Sequence, residues 1–186
     1  MMAGLLLARA GVDVLVLEKH ADFFRDFRGD TVHPATMEIL DQLGWLEEFL
    51  RLPHNRVDSA EFTWEDRTYS LADFSHLRTP APFIAMMPQW DLLDFLAGKA
   101  RQYPGFELRM GTEAIAAHTD SSGRVSAVET KAGKVLPARL VIAADGRRSI
   151  MRDQAQLPLK TIGAPMDVLW FRLDLPEEIG VESFGA

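Results

Sequence analysis

Residues 11–20 read GVDVLVLEKH, and this stretch decides the fold. Val12, Val14 and Val16 point to one face of a strand and Leu15 and Leu17 to the other. Both faces are then apolar, interrupted only by Asp13, which predicts a buried, parallel strand. Glu18 falls where the second strand of a dinucleotide-binding βαβ unit ends, and a carboxylate there can accept hydrogen bonds from both hydroxyls of an adenosine ribose. Upstream, residues 2–9 (MAGLLLAR) predict the helix that delivers the chain into this strand, with Gly11 as its terminator. Such a unit opens with a strand and a G-x-G-x-x-G turn about twenty residues before the acid. Counting back from Glu18 by that distance passes Met1, so the expectation is a unit whose first strand and phosphate loop are not among these residues.

The composition narrows the classes of function. The 186 residues are 47% hydrophobic and 25% charged, as in a globular protein, and suffice for one ordinary domain or one and a part. A net charge of -7 and scattered arginines speak against a nucleic-acid surface. With no cysteine there is no disulfide, thiolate metal site or cysteine nucleophile, which fits a cytoplasmic protein. The opening MMAGLLLARA lacks a basic n-region and is short for a secretory core. No stretch reaches the roughly 20 apolar residues of a membrane span. The histidines show no i, i+4 pair and no H-E-x-x-H, and there is no G-x-S-x-G, so neither a metal site nor a serine nucleophile is expected.

Along the chain, residues 19–33 form a polar and aromatic loop. Pro34 suits a first helical position, residues 35–43 predict a helix with Met37, Leu40 and Leu43 on one face, and Gly44 stops it. A short helix follows over 46–50. Residues 59–74 alternate around Glu65 and Asp66 as a β-hairpin with one wet face. A strand is expected over 83–87, and then an amphipathic helix over 90–102 with Leu92, Leu93 and Leu96 inward. Strands are expected over 107–110, 112–119 and 124–130, the last two joined by a turn at 120–123. Residues 138–144 (ARLVIAA) predict a second buried strand, ending in Asp145 and Gly146. Ser149 then caps a short helix to Gln154, and 168–173 predicts a strand.

Several residues suit a ligand. Arg28 lies in the loop after the first strand, where a guanidinium can reach a pyrophosphate. Gln89 follows a strand and opens a helix. Asp145 and Gly146 end an apolar run, at the kind of edge where ligands of open α/β sheets collect. Each alone has a bland reading as a surface acid, a solvated arginine, an ordinary helix-opening glutamine or a turn.

Together, helix-GVDVLVLEKH, DFRGDTVHPATMEILDQLG, MPQWDLLDFLAGKA and ARLVIAADGRRSIMR resemble the FAD-dependent aromatic hydroxylases, the class A flavin monooxygenases of the para-hydroxybenzoate hydroxylase type. The resemblance covers essentially the whole chain. It implies that Glu18 holds the adenosine ribose of FAD with Lys19 beside it at the adenine end. It further implies that Arg28 and Gln89 contact FAD, and that Asp145 and Gly146 form a second fingerprint for FAD and NAD(P)H. The chemistry implied is the flavin's own, with NAD(P)H as reductant and a small aromatic or polyketide-like molecule hydroxylated, so no side chain is assigned as catalytic.

The fold expected is α/β: part of a two-dinucleotide-type FAD-binding domain, a Rossmann-like parallel sheet with β-rich insertions, and the start of a mixed-sheet substrate domain. Its divisions are 1–58 (FAD-binding), 59–88 (β excursion of the substrate domain), 89–158 (FAD-binding, with the β-meander and Asp-Gly) and 159–186 (substrate-domain sheet). The family's G-x-G-x-x-G would precede Met1 and its ribityl-binding Gly-Asp would follow Ala186, so a chain truncated at both ends is expected, and these residues by themselves should bind FAD poorly. The rivals are a Rossmann dehydrogenase or methyltransferase, against which the Asp-Gly pair and the Gln89 helix speak, and an inactive truncated product or cofactor-free interaction module.

Overall fold

In the computed structural model of the chain, residues 1–24, 29–160 and 162–163 are described, Thr63 by its backbone alone. In chain order the elements are α1 (Met2–Arg9), β1 (Val14–Leu17), β2 (Thr31–Val32), α2 (Pro34–Gln42), α3 (Leu46–Phe49), β3 (Asn55–Val57), β4 (Ser59–Trp64) and β5 (Arg67–Asp73). They continue with β6 (Ile84–Met86), α4 (Gln89–Ala100), β7 (Phe106–Arg109), β8 (Ala114–Thr119), β9 (Val125–Thr130), β10 (Val135–Pro137) and α5 (Ile150–Gln154). The strand expected over 168–173 lies outside the described residues. Two compact units emerge among them, residues 1–22 with 99–160, and residues 23–98.

In the first unit, β1 pairs in parallel with β7, with Val14 opposite Phe106 and Leu17 opposite Arg109. Helix α1 ends where the sequence places its stop: Gly11 takes φ +82°, and its N–H donates to the Ala8 carbonyl at 3.0 Å. Leu5 is fully buried. Gly4 lets the helix lie directly on the strand, because a Cβ there would fall 2.7 Å from Val16 Cγ2 and 3.5 Å from Val14 Cγ1. The Val14 and Val16 face of β1 is therefore covered by α1. The other face is only partly covered, and the expectation of a strand buried on both faces is corrected: Leu15 is 37% exposed, Leu17 is half-buried, and among the described residues β7 is the one strand that pairs with β1.

A second correction concerns residues 138–144. The Ala138 N–H still donates to the Ser126 carbonyl, but beyond it the run joins no ladder among the described residues. Leu140 is 73% and Ile142 56% exposed. An apolar composition supplies the side chains for a buried strand, but burial also requires a neighbouring ladder, and none of the described strands provides it.

Strands β8, β9 and β10 make an antiparallel meander in the order β10-β9-β8. The Asp120 carboxylate ties its first turn by accepting from the Ser122 hydroxyl at 2.6 Å and the Ser122 N–H at 2.9 Å. Helix α5 is capped by Ser149, whose hydroxyl accepts from the Arg152 N–H at 3.0 Å. It is also tied to the meander where the Ala117 N–H donates to Gln154 Oε1 at 2.8 Å.

In the second unit, β6 is the centre of an antiparallel sheet in the order β2-β6-β3. Met37, Leu40, Phe49 and Ala85 are buried, and Phe49 meets Phe95 of α4 edge-on at 5.4 Å. In α4 the inward residues are Leu96, Ala97 and Ala100, with Leu92 and Leu93 half-buried. The hairpin of β4 and β5 turns at Glu65 and Asp66 as its alternation predicts. Its apolar face is also largely wet, with Trp64 62%, Tyr69 47% and Leu71 68% exposed.

Candidate cofactor site

Glu18 is the first residue past β1, and the ladder that forms β1 fixes its backbone. Its N–H donates to the Arg109 carbonyl at 3.0 Å, and its own carbonyl accepts from the Thr112 N–H at 2.8 Å. Its carboxylate Oε1 accepts from the His20 N–H at 2.9 Å. The amino end of α1 lies at this same edge: burial lowers the basicity of the Met1 amine, and the nearby Glu18 carboxylate opposes that shift. A carboxylate at the exit of a parallel strand, beside the amino end of the preceding helix, is the arrangement by which a βαβ unit takes a ribose and the phosphates that follow it.

Lys19, exposed, stands on the rim of a concavity of about 620 Å³ lined also by Arg109, Thr112, Glu113, Lys131, Lys134 and Leu136. Lys131 donates to Glu113 at 2.9 Å, and Arg109 Nε donates to Glu107 at 2.6 Å. The Lys131 hydrogen bond and charge, reinforced by Lys19 and His20, hold the Glu113 carboxyl below its ordinary value. Lys19, Arg109, Lys131 and Lys134 thus line one hollow with Glu113, and even with Arg109 paired to Glu107 and Lys131 to Glu113 the hollow is positive on a chain of net charge -7. Of these residues the sequence singles out Lys19 but not Lys131 and Lys134, which stand at the two ends of the K-A-G-K turn between β9 and β10.

Asp145 and Gly146 are exposed at the entrance to α5. Gly146 takes φ +84° with open space where a Cβ would stand, so backbone can approach a ligand closely there. Asp145 Oδ2 accepts from the Met151 N–H at 3.3 Å. Partial desolvation opposes its ionisation, but hydrogen bonds from the Ser149 hydroxyl and from the backbone of Met151, Asp145 and Ile150 outweigh it. The carboxyl is held below its ordinary value.

In the second unit Gln89 is the first residue of α4 and is half-buried. Beside it the Trp90 ring lies 4.8 Å from that of Phe24. Arg28 lies outside the described residues. The first unit therefore brings Glu18 and Lys19 to one strand edge and Asp145 and Gly146 to the entrance of α5, while Gln89 belongs to the second. Among the described residues, no group of His, Asp and Glu gathers as a metal site would need, and no helix is long and apolar enough to cross a membrane.

Comparison with known proteins places the chain among FAD-binding proteins by sequence and fold. The chain is 32% identical over 188 residues to 6-methylpretetramide 4-monooxygenase of Streptomyces rimosus, an alignment covering 98% of this chain and 44% of that protein. It is 32% identical to rifampicin monooxygenase of Streptomyces venezuelae, over 82% of this chain and 30% of the relative. It therefore spans less than half the length of either. The fold matches that of Pseudomonas aeruginosa PqsL crystallised with 2-aminobenzoylacetate, with a TM-score of 0.73 at 24% identity, covering 88% of this chain and 45% of PqsL. The sequence profile of the FAD binding domain matches residues 1–179, and the chain belongs to the FAD binding domain family.

Proposed function

We propose that these residues are the FAD-binding part of a monooxygenase that uses NAD(P)H and oxygen to hydroxylate an aromatic or polyketide-like small molecule. The observation that carries this is the Glu18 carboxylate at the exit of a parallel strand, on a residue whose backbone is fixed there by two main-chain hydrogen bonds. In this reading Glu18 takes the ribose hydroxyls of FAD, and Lys19 with the neighbouring basic residues borders the adenine end. Arg28 and Gln89 reach the cofactor, and Asp145 with Gly146 serves its binding and the approach of NAD(P)H. Residues 1–58 and 89–158 belong to the cofactor domain, and 59–88 and 159–186 to the substrate domain. When bound, FAD supplies the redox chemistry, and the protein's part is to orient it and exclude water.

The residues fit such a group. The strand exit is polar and reachable, Gly146 leaves room for close backbone approach, and the basic hollow suits an anionic dinucleotide. The test is a polypeptide carrying these residues at the full length of the relatives. It should bind FAD, consume NAD(P)H, and deliver a product one oxygen heavier from an aromatic or polyketide substrate. Failure to bind FAD, or turnover without oxygen entering any product, overturns the proposal.

A further inference from the structure

The Gln89 side chain lies against a residue that has none. Gly29 takes φ +61°, and a Cβ built there would fall 2.9 Å from Gln89 Nε2 and 3.3 Å from its Cδ, inside van der Waals contact. The β2–β6 ladder causes this approach. Thr31 pairs with Met86, and the Met87 N–H donates to the Asp30 carbonyl at 2.9 Å, so the chain leaving β6 passes Gly29 before opening α4 at Gln89. The Phe24–Trp90 ring contact ties the next residue of α4 to the same loop.

We infer that Gly29 is a positioning residue for Gln89: the missing Cβ is the space in which the carboxamide is held at the head of α4. This rests on the reading above that Gln89 contacts FAD. A glutamine has three rotatable bonds and is not held in one direction by its own backbone. The loop on one side and the start of α4 on the other restrict it. A side chain at Gly29 would turn the carboxamide away without displacing the helix, whose inward residues Leu96, Ala97 and Ala100 are buried further along.

Gly29→Asn separates the Cβ from backbone strain, because asparagine tolerates positive φ. In the chain itself, the Gln89 side-chain amide NMR signals, assigned by their loss in Gln89→Ala, should move in Gly29→Asn while the backbone signals of residues 92–99 stay in place. In the full-length flavoprotein, Gly29→Asn and Gln89→Ala should each raise the FAD dissociation constant roughly three- to tenfold, and the double variant should be no worse than either. Unmoved Gln89 amide signals, or additive losses of FAD affinity, overturn the inference. Amide signals that move while neither substitution weakens FAD support the Gly29 contact and overturn the cofactor role of Gln89.

Discussion

At Glu18 and Asp145 single carboxylates are held by backbone N–H groups, and each makes a distinct prediction. In a full-length flavoprotein, Glu18→Ala should weaken FAD by about 1 to 3 kcal/mol, the cost of leaving charged hydrogen bonds unmade. Titration of the protein with FAD, followed by flavin fluorescence, measures this, and unaltered affinity with an intact fold makes Glu18 a surface acid. Asp145 is more ionised when folded than when unfolded, because its hydrogen bonds to Ser149 and the first turn of α5 outweigh its desolvation. A depressed carboxyl stabilises above its unfolded value and loses that contribution as pH falls through the folded one. The start of α5 should therefore loosen below the ordinary value of 3.8, seen as shifts of the Ile150 and Met151 amide signals that vanish in Asp145→Ala. In the full-length enzyme that variant should slow NAD(P)H-driven flavin reduction or loosen FAD and change the apo melting temperature little. A large drop in apo stability with unchanged reduction would make Asp145 a structural turn residue.

Among the elements, the contact of α1 with β1 sets how the Glu18 edge is built. Gly4 is the point of closest approach, and its nearest neighbour is a β-branched Val16 with little freedom to turn aside. Gly4→Val should cost about 1 to 3 kcal/mol by overpacking, measured by urea unfolding of the chain, and Val16→Ala in the same background should recover part of it. If Gly4→Val is neutral, α1 is free to slide on the strand and does not fix the Glu18 edge. The hairpin, the meander turns and α5 were legible in the sequence because each is set within a few residues. Alternation placed β4 and β5, Asp120 and Gly123 made the turn between β8 and β9, and Ser149 capped α5. The basic hollow and the Gly29 contact were not legible, since they join residues from strands and loops that only the ladders bring together.

On the scale of the whole molecule, Leu15 on β1 and Leu140 and Ile142 in the run over 138–144 leave apolar side chains in water. Exposed apolar strand segments without a partner pair with other molecules. The 186-residue polypeptide should therefore self-associate, and Leu140→Lys with Ile142→Lys should shift it toward monomer in size-exclusion chromatography. A wild-type chain already running as a sharp monomer with a cooperative melt would contradict this. The same two segments mark the division between sequence and tertiary structure. The sequence by itself determined that α1 stops at Gly11, that the valines of β1 alternate with leucines and that Glu18 follows them, because a positive-φ glycine and a period-two pattern act through the local backbone. It drew residues 12–17 and 138–144 as two alike buried strands. Only the tertiary structure distinguished them, giving the first β7 and α1 as neighbours and the second no ladder among the described residues. The reason is physical: a strand's hydrogen bonds and its cover both come from other segments, so its burial is decided by its neighbours and not by its own side chains.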